Sequence, residues 1–137
     1  SQIRGVELAR LAGLKRTGVS LARIAPGRES FVYHAHAREE EWLYILAGRG
    51  TAEIDGSEHE VGPGDFMGFA APSVGHHLRN TGEEELVYLM GGERLDCDVA
   101  TFPRLGKTMV RVGERVEIYD SAAARPFGPL EGDGGDG

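Results

Sequence analysis

Short apolar runs separated by glycine- and proline-containing turns recur through the middle of the chain. These runs occupy residues 19–24, 31–36, 41–46, 51–54, 59–61, 66–70, 76–80 and 86–90. Runs that recur about every 8–12 residues, with turn signals between them, predict an all-β fold that is an antiparallel sandwich or barrel. The clearest turn signal is Asp55-Gly56, because Asp-Gly favours the two-residue turn of a β-hairpin.

One run differs from the others because it is apolar on both faces. Residues 42–46 read Trp-Leu-Tyr-Ile-Leu, and a strand without polar alternation is typical of burial on both sides. This strand and the later strands need something to cover them, which predicts a homodimer. The later strands are predicted at residues 109–112 and 116–119, a helical turn at 121–125, and a helix or an irregular segment at 3–12.

Length and composition place these runs in one domain. The chain has 137 residues and 21 glycines, which is enough to build a hydrophobic core and to supply many tight turns. We expect a single domain over residues 1–127, with its core at 18–92. Residues 128–137 are a glycine-rich acidic tail with Glu131, Asp133 and Asp136, and this composition is typical of a flexible appendage.

Charge and hydropathy argue against several classes of partner. The formal net charge is −7, and because phosphate backbones are bound by basic surfaces, we expect no nucleic-acid partner. No apolar run reaches the length of a membrane span, and the N-terminus lacks the pattern of a signal peptide, so we expect no membrane association. Cys97 is the single cysteine and has no intramolecular disulfide partner, which fits a cytoplasmic location.

Histidines and a glutamate form the candidate chemistry of the chain. His34 and His36 are separated by one residue, and two such side chains point to the same face of a β-strand. One metal ion between them can bind a ring nitrogen of each. Glu41 adds a carboxylate, and a histidine from another strand would complete a mixed site that suits iron, manganese, zinc or nickel. Taken alone, the histidine pair is more often an ordinary polar pair than a metal site.

The third histidine is either His76 or His77. His76 shares strand parity with Leu78 and Asn80, whereas His77 shares parity with Arg79 and faces the other way. Parity therefore favours His76 as the ligand. It leaves His77 as a packing residue or as a residue that supports the ligands from behind, and it places Arg79 at the surface or at an interface.

The same residues carry a resemblance to a known family. The series Gly27, six residues, His34-Ala35-His36, four residues, Glu41, six residues and Gly48 resembles the first cupin motif, and Gly64-Asp65, Pro72, His76 and Asn80 resemble the second. The two stretches are 15 residues apart, which is similar to small single-domain bacterial cupins. The resemblance implies a jelly-roll barrel (a double-stranded β-helix) with short terminal extensions. It also implies a divalent metal ion in the barrel mouth, with His34, His36, Glu41 and His76 as ligands.

The resemblance does not select a reaction, because one fold supports many activities. The first hypothesis is a metal-dependent isomerase, dioxygenase or decarboxylase that acts on a small polar metabolite, with Glu41 as a candidate base. The chain also resembles uncharacterised bacterial cupins that are labelled sugar-phosphate isomerases by analogy. The second hypothesis is a non-catalytic module that binds or senses a carbohydrate-like molecule, since no general base is evident beyond the ligands. A third hypothesis is a structural barrel without a ligand.

Overall fold

A computed structural model of the chain describes residues 3–131, which form an almost entirely β structure. The strands are β1 (Ile3–Glu7), β2 (Thr17–Ile24), β3 (Ala35–His36), β4 (Glu41–Ala47), β5 (Gly50–Ile54), β6 (Ser57–Val61), β7 (Phe66–Phe69), β8 (His76–Arg79), β9 (Leu86–Glu93), β10 (Cys97–Phe102), β11 (Lys107–Val112) and β12 (Arg115–Asp120). Helical structure consists of α1 (Leu8–Leu11) and a 3₁₀ turn (Ser121–Ala123). The all-β prediction is confirmed.

The strands form three antiparallel sheets around one core. The first sheet has the order β1-β2-β9-β4-β7, the second β12-β11-β10-β3 and the third β6-β5-β8. An isolated β-bridge between His34 and His76 joins the second sheet to the third. These two sheets therefore act as one side of a barrel whose other side is the first sheet.

The hairpin of β5 and β6 has the turn that Asp55-Gly56 predicts. Both residues have positive φ, 51° at Asp55 and 79° at Gly56, as a type I′ turn requires. The turn fixes the register in which Ala52 pairs with His59. Strand β5 pairs with β8 along its other edge, where Ile54 lies opposite His76.

Alternation along the strands separates a buried inner face from an outer face. The core cluster contains Ala22, Ile24, Leu43, Ile45, Ala52, Val61, Met67, Phe69, Leu78, Leu86 and Tyr88. Asn80 closes one end of this core, because its Nδ2 donates to the carbonyls of Ile24 and Glu84, both at 2.8 Å, and its Oδ1 accepts from the Gly82 N–H at 3.0 Å. The opposite end of β8, at His76, is left for the site.

Within a single chain, strand β4 is buried on one face, and the predicted burial of residues 42–46 on the second face depends on a partner. Leu43 and Ile45 are buried, whereas Tyr44 and Leu46 are 38% and 42% exposed. The outward side chains lie on the outer face of the first sheet. Residues 42–46 therefore have one face in the core and one apolar face that is exposed in a single chain. The local sequence does not distinguish these two kinds of apolar face.

Other segments also differ from the predictions. Residues 3–12 begin as strand β1, which pairs along β2 at the edge of the first sheet, and only then form α1. The strand predicted at residues 31–36 is reduced to β3 at its end. Strand β10 has no counterpart among the predicted strands, because small and acidic residues weaken its apolar pattern. The predictions at residues 109–112, 116–119 and 121–125 are confirmed as β11, β12 and the 3₁₀ turn.

The described chain contains no long apolar helix. Within residues 3–131, no helix could cross a membrane. Glu131 of the predicted tail is exposed at the end of the described chain, whereas Asp133 and Asp136 lie outside the described residues.

Candidate metal centre

His34, His36, Glu41 and His76 come together at one end of the barrel. His36 ends β3, Glu41 begins β4 and His76 begins β8, while His34 lies one residue before β3. The bridge between His34 and His76 brings the β3 segment beside β8. Glu41 approaches from the first sheet, where β4 lies between β7 and β9. The cluster therefore draws on both sides of the barrel.

Strand alternation explains why these side chains point inward. Glu41 has the strand parity of Leu43, and His76 has the parity of Leu78, and both leucines belong to the core. His34 and His76 are buried. Polar groups at core-facing positions are costly unless they find partners, so their contacts are informative.

Each imidazole is held from behind by an oxygen near its Nδ1. His34 Nδ1 is 2.6 Å from the Val32 carbonyl oxygen, His36 Nδ1 is 2.7 Å from Asp98 Oδ2, and His76 Nδ1 is 2.9 Å from the Val74 carbonyl oxygen. Carbonyl and carboxylate oxygens accept hydrogen bonds, so each Nδ1 donates one, and each Nε2 is left to bind a proton or a metal ion. Metal-binding histidines are oriented by partners of this kind.

The three Nε2 atoms converge on the Glu41 carboxylate. His34 Nε2 is 3.9 Å from Glu41 Oε1, and His36 Nε2 is 3.7 Å from Glu41 Oε2. His76 Nε2 contacts Glu41 Oε1 directly, and two acceptor atoms in contact need a shared proton or a metal ion between them. The ligand atoms of His34, His36 and Glu41 lie within 4.8 Å of one another, a group that does not include His76. Imidazole nitrogens and a carboxylate are a donor set that fits a first-row divalent metal.

Burial and neighbouring charges favour the protonation states that bind metal. Burial lowers the pKa of His34 to about 4, against the opposing effect of Glu41, so this ring is neutral at neutral pH. Burial alone raises the pKa of Glu41, but the hydrogen bond with His76 and the nearby imidazoles outweigh it and hold that pKa below its ordinary value. Neutral imidazole and ionised carboxylate are the forms that bind a metal ion.

Aromatic side chains pack against two of the histidines. The Phe69 ring stacks on His76, with 3.7 Å between ring centroids and 7° between ring planes. Phe31 meets His34 edge-on at 5.3 Å, and Phe102 lies 6.3 Å from the same ring. These contacts limit the rotamers of the imidazoles, so the rings are positioned before any ligand binds.

Asp98 supports the cluster, although the sequence motifs do not single it out. This buried residue contacts the His36 ring through Oδ2, and its Oδ1 accepts a hydrogen bond from the Arg38 N–H at 2.9 Å. Burial alone raises the pKa of Asp98, but these hydrogen bonds outweigh it and hold that pKa below its ordinary value. The available signal is the alternation of Asp98 with Ala100 and Phe102, which places a carboxylate on an otherwise apolar strand face.

His77 faces away from the rings of His34, His36 and His76, as strand parity predicts. Its Nε2 is 3.0 Å from Glu53 Oε1, and Glu53 also binds Arg104. Arg79, which has the same parity, pairs with Glu58 on the outside of the barrel. His77 is therefore a packing residue of the outer face and does not contact the inner histidine cluster.

A second group of ligand-type side chains does not suit a metal ion. His36, Glu39 and Asp98 lie close together. Glu39, however, binds Arg111 at 2.6 Å and accepts a hydrogen bond from a backbone N–H at 2.8 Å. The arginine supplies the positive charge that a metal ion would otherwise bring, so this group is an ion-pair network.

An open cleft of about 240 Å³ adjoins one side of the histidine cluster, at His36 and Glu41. His36 and Glu41 line it together with Ser20 and Gly92 of the first sheet. Gly92 has no space for a side chain, since a Cβ there would lie 2.2 Å from the Glu40 carbonyl oxygen. Ligand pockets usually measure about 300–1,000 Å³, so this cleft suits a small metabolite.

The fold and the cluster define a class of protein. The model of the cupin domain family matches residues 20–92, which contain His34, His36, Glu41 and His76. The chain belongs to the cupin family, and its antiparallel barrel is a cupin jelly roll.

Several known proteins are similar to this chain. A candidate sugar phosphate isomerase from Acidithiobacillus ferrooxidans is 36% identical, with a TM-score of 0.88 over 93% of this chain and 81% of that one. A cupin-superfamily sugar phosphate isomerase from Silicibacter pomeroyi is 23% identical, with a TM-score of 0.85 over 92% and 81%; this likeness shows the fold alone. An uncharacterized protein of Methanocaldococcus jannaschii is 35% identical over 66 residues, which are 48% of this chain and 52% of that protein. The last match thus spans about half of the curated relative.

Proposed function

We propose that this chain is a metal-dependent cupin enzyme that acts on a small polar metabolite. His34, His36, Glu41 and His76 would hold one divalent ion of zinc, iron, manganese or nickel. The observation that carries this proposal is the common orientation of the three rings, each with Nδ1 against an oxygen and Nε2 toward Glu41. Three ring nitrogens that approach one carboxylate are repelled by it unless a proton or a metal ion lies between them.

The residues of the chain have separate tasks in this proposal. The bound metal ion would supply a Lewis acid that polarises a carbonyl group. Glu41 borders the cleft, so an oxygen of its carboxylate that is not bound to metal can accept a proton from the substrate. Asp98 keeps the His36 ring oriented, and Gly92 lets β9 approach β4 closely beside Glu41.

A sugar phosphate is the substrate class that we favour. The support is the 36% identical structure described as a candidate sugar phosphate isomerase, which aligns with 93% of this chain. Isomerisation of a hydroxy-carbonyl compound moves a proton between neighbouring carbons, so it needs a base and an electrophile close together. Glu41 among three imidazoles would provide both in one small cleft.

Metal uptake and turnover test this proposal. The purified chain is exposed in turn to Zn²⁺, Mn²⁺, Fe²⁺ and Ni²⁺, its metal content is measured by mass spectrometry, and each loaded form is incubated with a panel of sugar phosphates and oxo-acids. We expect about one metal ion per chain and turnover of at least one sugar phosphate. Glu41→Gln should lose turnover, and Glu60→Gln, on the exposed strand β6, is the matched control. A chain that takes up none of the four ions contradicts the proposal.

A non-catalytic binding or sensory module is the second candidate function. The observation in its favour is that both carboxylates in contact with the rings are already engaged. Glu41 belongs to the donor set, and Asp98 is bonded to His36 and Arg38. Calorimetry and NMR of the added ligand separate the two functions, because a module would bind a sugar phosphate and release it chemically unchanged.

We also propose that the chain forms a homodimer through the outer face of its first sheet. Tyr44 and Leu46 project from β4, and Phe66, which is 63% exposed, projects from the neighbouring β7. Trp42 stacks against Phe66 at 6.2 Å between ring centroids. Apolar side chains on adjacent strands favour packing against another sheet, and two copies of one face satisfy a two-fold axis.

Sedimentation at micromolar concentration tests the dimer. We expect the mass of two chains for the wild type and of one chain for Leu46→Glu, because a carboxylate on this face would be buried in the interface. Val112→Glu, at an exposed position on β11, is the matched control and should remain dimeric. A wild-type chain that sediments with the mass of one chain removes the proposal.

A further inference from the structure

The cleft beside the metal-binding rings meets a second, larger groove. This groove has a volume of about 780 Å³ and is lined by charged side chains, namely Arg10, Lys15, Arg94, Asp96, Arg111 and Glu114. Arg94 and Arg111 line both the groove and the cleft that contains His36 and Glu41. A ligand that reaches the metal-binding rings can therefore extend past Arg94 into the groove.

The groove is positively charged although the chain is acidic. Its four cationic side chains face two carboxylates, which gives a formal charge of +2, whereas the whole chain has −7. The cleft beside His36 contains more carboxylates than the groove, because it is lined by four glutamates, namely Glu39, Glu40, Glu41 and Glu93. An anionic group is therefore attracted to the groove side of Arg94.

Two of the four cations in the groove already have carboxylate partners. Arg10 Nε pairs with Glu7 at 2.9 Å. Arg111 is held by Glu39 at 2.6 Å and also donates to the Leu95 carbonyl oxygen at 2.7 Å. The charge of these two side chains is largely neutralised within the chain itself.

Arg94 and Lys15 are the two cations that remain unpaired. Across residues 3–131, neither side chain has an ion pair or a side-chain hydrogen bond. The backbone of Arg94 is nevertheless fixed, because its main-chain N–H donates to the Arg16 carbonyl oxygen at 3.0 Å. Its Cγ lies 3.8 Å from the position that a Cβ would take on Gly18. The arginine stem thus lies over β2 at the boundary between cleft and groove.

We propose that Arg94, together with Lys15, binds the phosphate group of the substrate whose carbonyl end reaches the metal ion. A phosphomonoester has a charge of about −1.5 to −2 at neutral pH, which the two unpaired cations balance. A ligand with a single carboxylate would leave one of the two positive charges unbalanced. The planar guanidinium binds phosphate through two parallel hydrogen bonds, and lysine adds a point charge. This inference rests on the proposed function and assigns residues to the end of the substrate that is remote from the metal.

Binding of inorganic phosphate to the full chain without added metal tests this site apart from the metal centre. Calorimetry is expected to show binding to the wild type, a loss of about 10-fold or more in Arg94→Gln, and a smaller loss of about 3-fold in Lys15→Gln. The matched control is Arg28→Gln, an exposed arginine in the loop between β2 and β3, which should bind as the wild type does. The zinc-loaded chain should bind ribose 5-phosphate more tightly than ribose, and Arg94→Gln should reduce that difference.

The two proposals fail in distinguishable ways. If the wild type binds no phosphate, or Arg94→Gln binds it equally well, the phosphate site is wrong, while metal uptake by the same samples leaves the proposed function in place. If phosphate binds through Arg94 but no metal is taken up, the anion site stands and the proposed function falls. Acetate that binds as tightly as phosphate, and through Arg94, would overturn the assignment to phosphate. Thermal scans of each variant confirm that the barrel is folded.

Discussion

His76 and His77 are neighbours on β8, yet they belong to two different histidine–glutamate clusters. His76 faces the core, where its Nε2 contacts Glu41 and two further imidazoles approach the same carboxylate. His77 faces outward, where its Nε2 is 3.0 Å from Glu53. Within residues 3–131, the inner carboxylate is bonded to no cationic arginine or lysine, whereas the outer carboxylate is bound by Arg104.

The difference indicates which carboxylate needs a cation from outside the chain. Arg104 donates to both oxygens of Glu53 and lies 3.9 Å from the centre of the Tyr33 ring, so the outer carboxylate already has its counter-charge. Glu41 is ionised among imidazoles, of which His34 is neutral because burial lowers its pKa to about 4. A largely buried carboxylate whose neighbours are imidazoles and no arginine or lysine is costly, and a divalent metal ion would complete the inner cluster.

Replacing each of the two histidines by alanine should give the largest contrast. His76→Ala is expected to weaken zinc binding by more than about 100-fold, which exceeds the usual effect of removing an outer support, because it deletes a donor from the cluster. His77→Ala should keep the wild-type zinc affinity, since its ring contacts Glu53. Competition against a chromophoric zinc chelator measures both affinities.

The opposite pattern of zinc affinities would assign the third ligand to His77 and not to His76. If zinc binding were lost in His77→Ala and kept in His76→Ala, the outer face of β8 would carry the metal ligand. Equal losses in both variants would point to damage to the barrel, which thermal unfolding of the metal-free variants would reveal.

A smaller effect is expected when the support behind the inner cluster is removed. Asp98→Asn replaces the charged acceptor of the His36 Nδ1 proton by a neutral one, and we expect zinc affinity to fall by about 10- to 100-fold. Asp96→Asn is the matched control, because that side chain is 94% exposed and does not contact His36. Unchanged affinity in Asp98→Asn would mean that the ring keeps its orientation through packing alone.

Strand alternation and turn chemistry were sufficient to predict much of this molecule. A strand with one buried face must place its core residues at alternate positions, which is why parity separates His76 from His77 correctly. The hairpin at Asp55-Gly56 is also predictable, because few residue pairs tolerate positive φ at both positions. The assignment of His34, His36, Glu41 and His76 as metal ligands remains a prediction that binding experiments must test.

Contacts between distant parts of the chain account for what the sequence did not reveal. The role of Asp98 depends on the pairing of β10 with β3, which brings it to His36 from 62 positions away. The outer face of β4 looks like core in the sequence, because burial of Tyr44 and Leu46 depends on what covers the sheet. The segment before β3 reads as a strand, yet its Val32 carbonyl bonds the His34 ring.

The smallest expected effect concerns the outer cluster and its dependence on pH. Hydrogen bonds from Arg104 lower the pKa of Glu53 from 4.5 to about 2. Burial of the carboxyl acts in the opposite direction, and the hydrogen bond with His77 lowers the pKa further. The ionised carboxylate therefore stabilises the folded chain above about pH 4.5, and this contribution is lost as the pH falls toward 2. Glu53→Gln should be slightly less stable than the wild type at neutral pH, and the difference should shrink in acid.

Urea unfolding of both chains at a series of pH values measures this difference. Arg104→Gln is the companion variant, because removing the main cause of the lowered pKa should abolish the same acid-dependent part of the free energy of unfolding. If the difference between the wild type and Glu53→Gln stayed constant down to about pH 3, Arg104 would not hold Glu53 in solution. The outer carboxylate would then lack its counter-charge as the inner one does, and only metal binding would distinguish the two faces of β8.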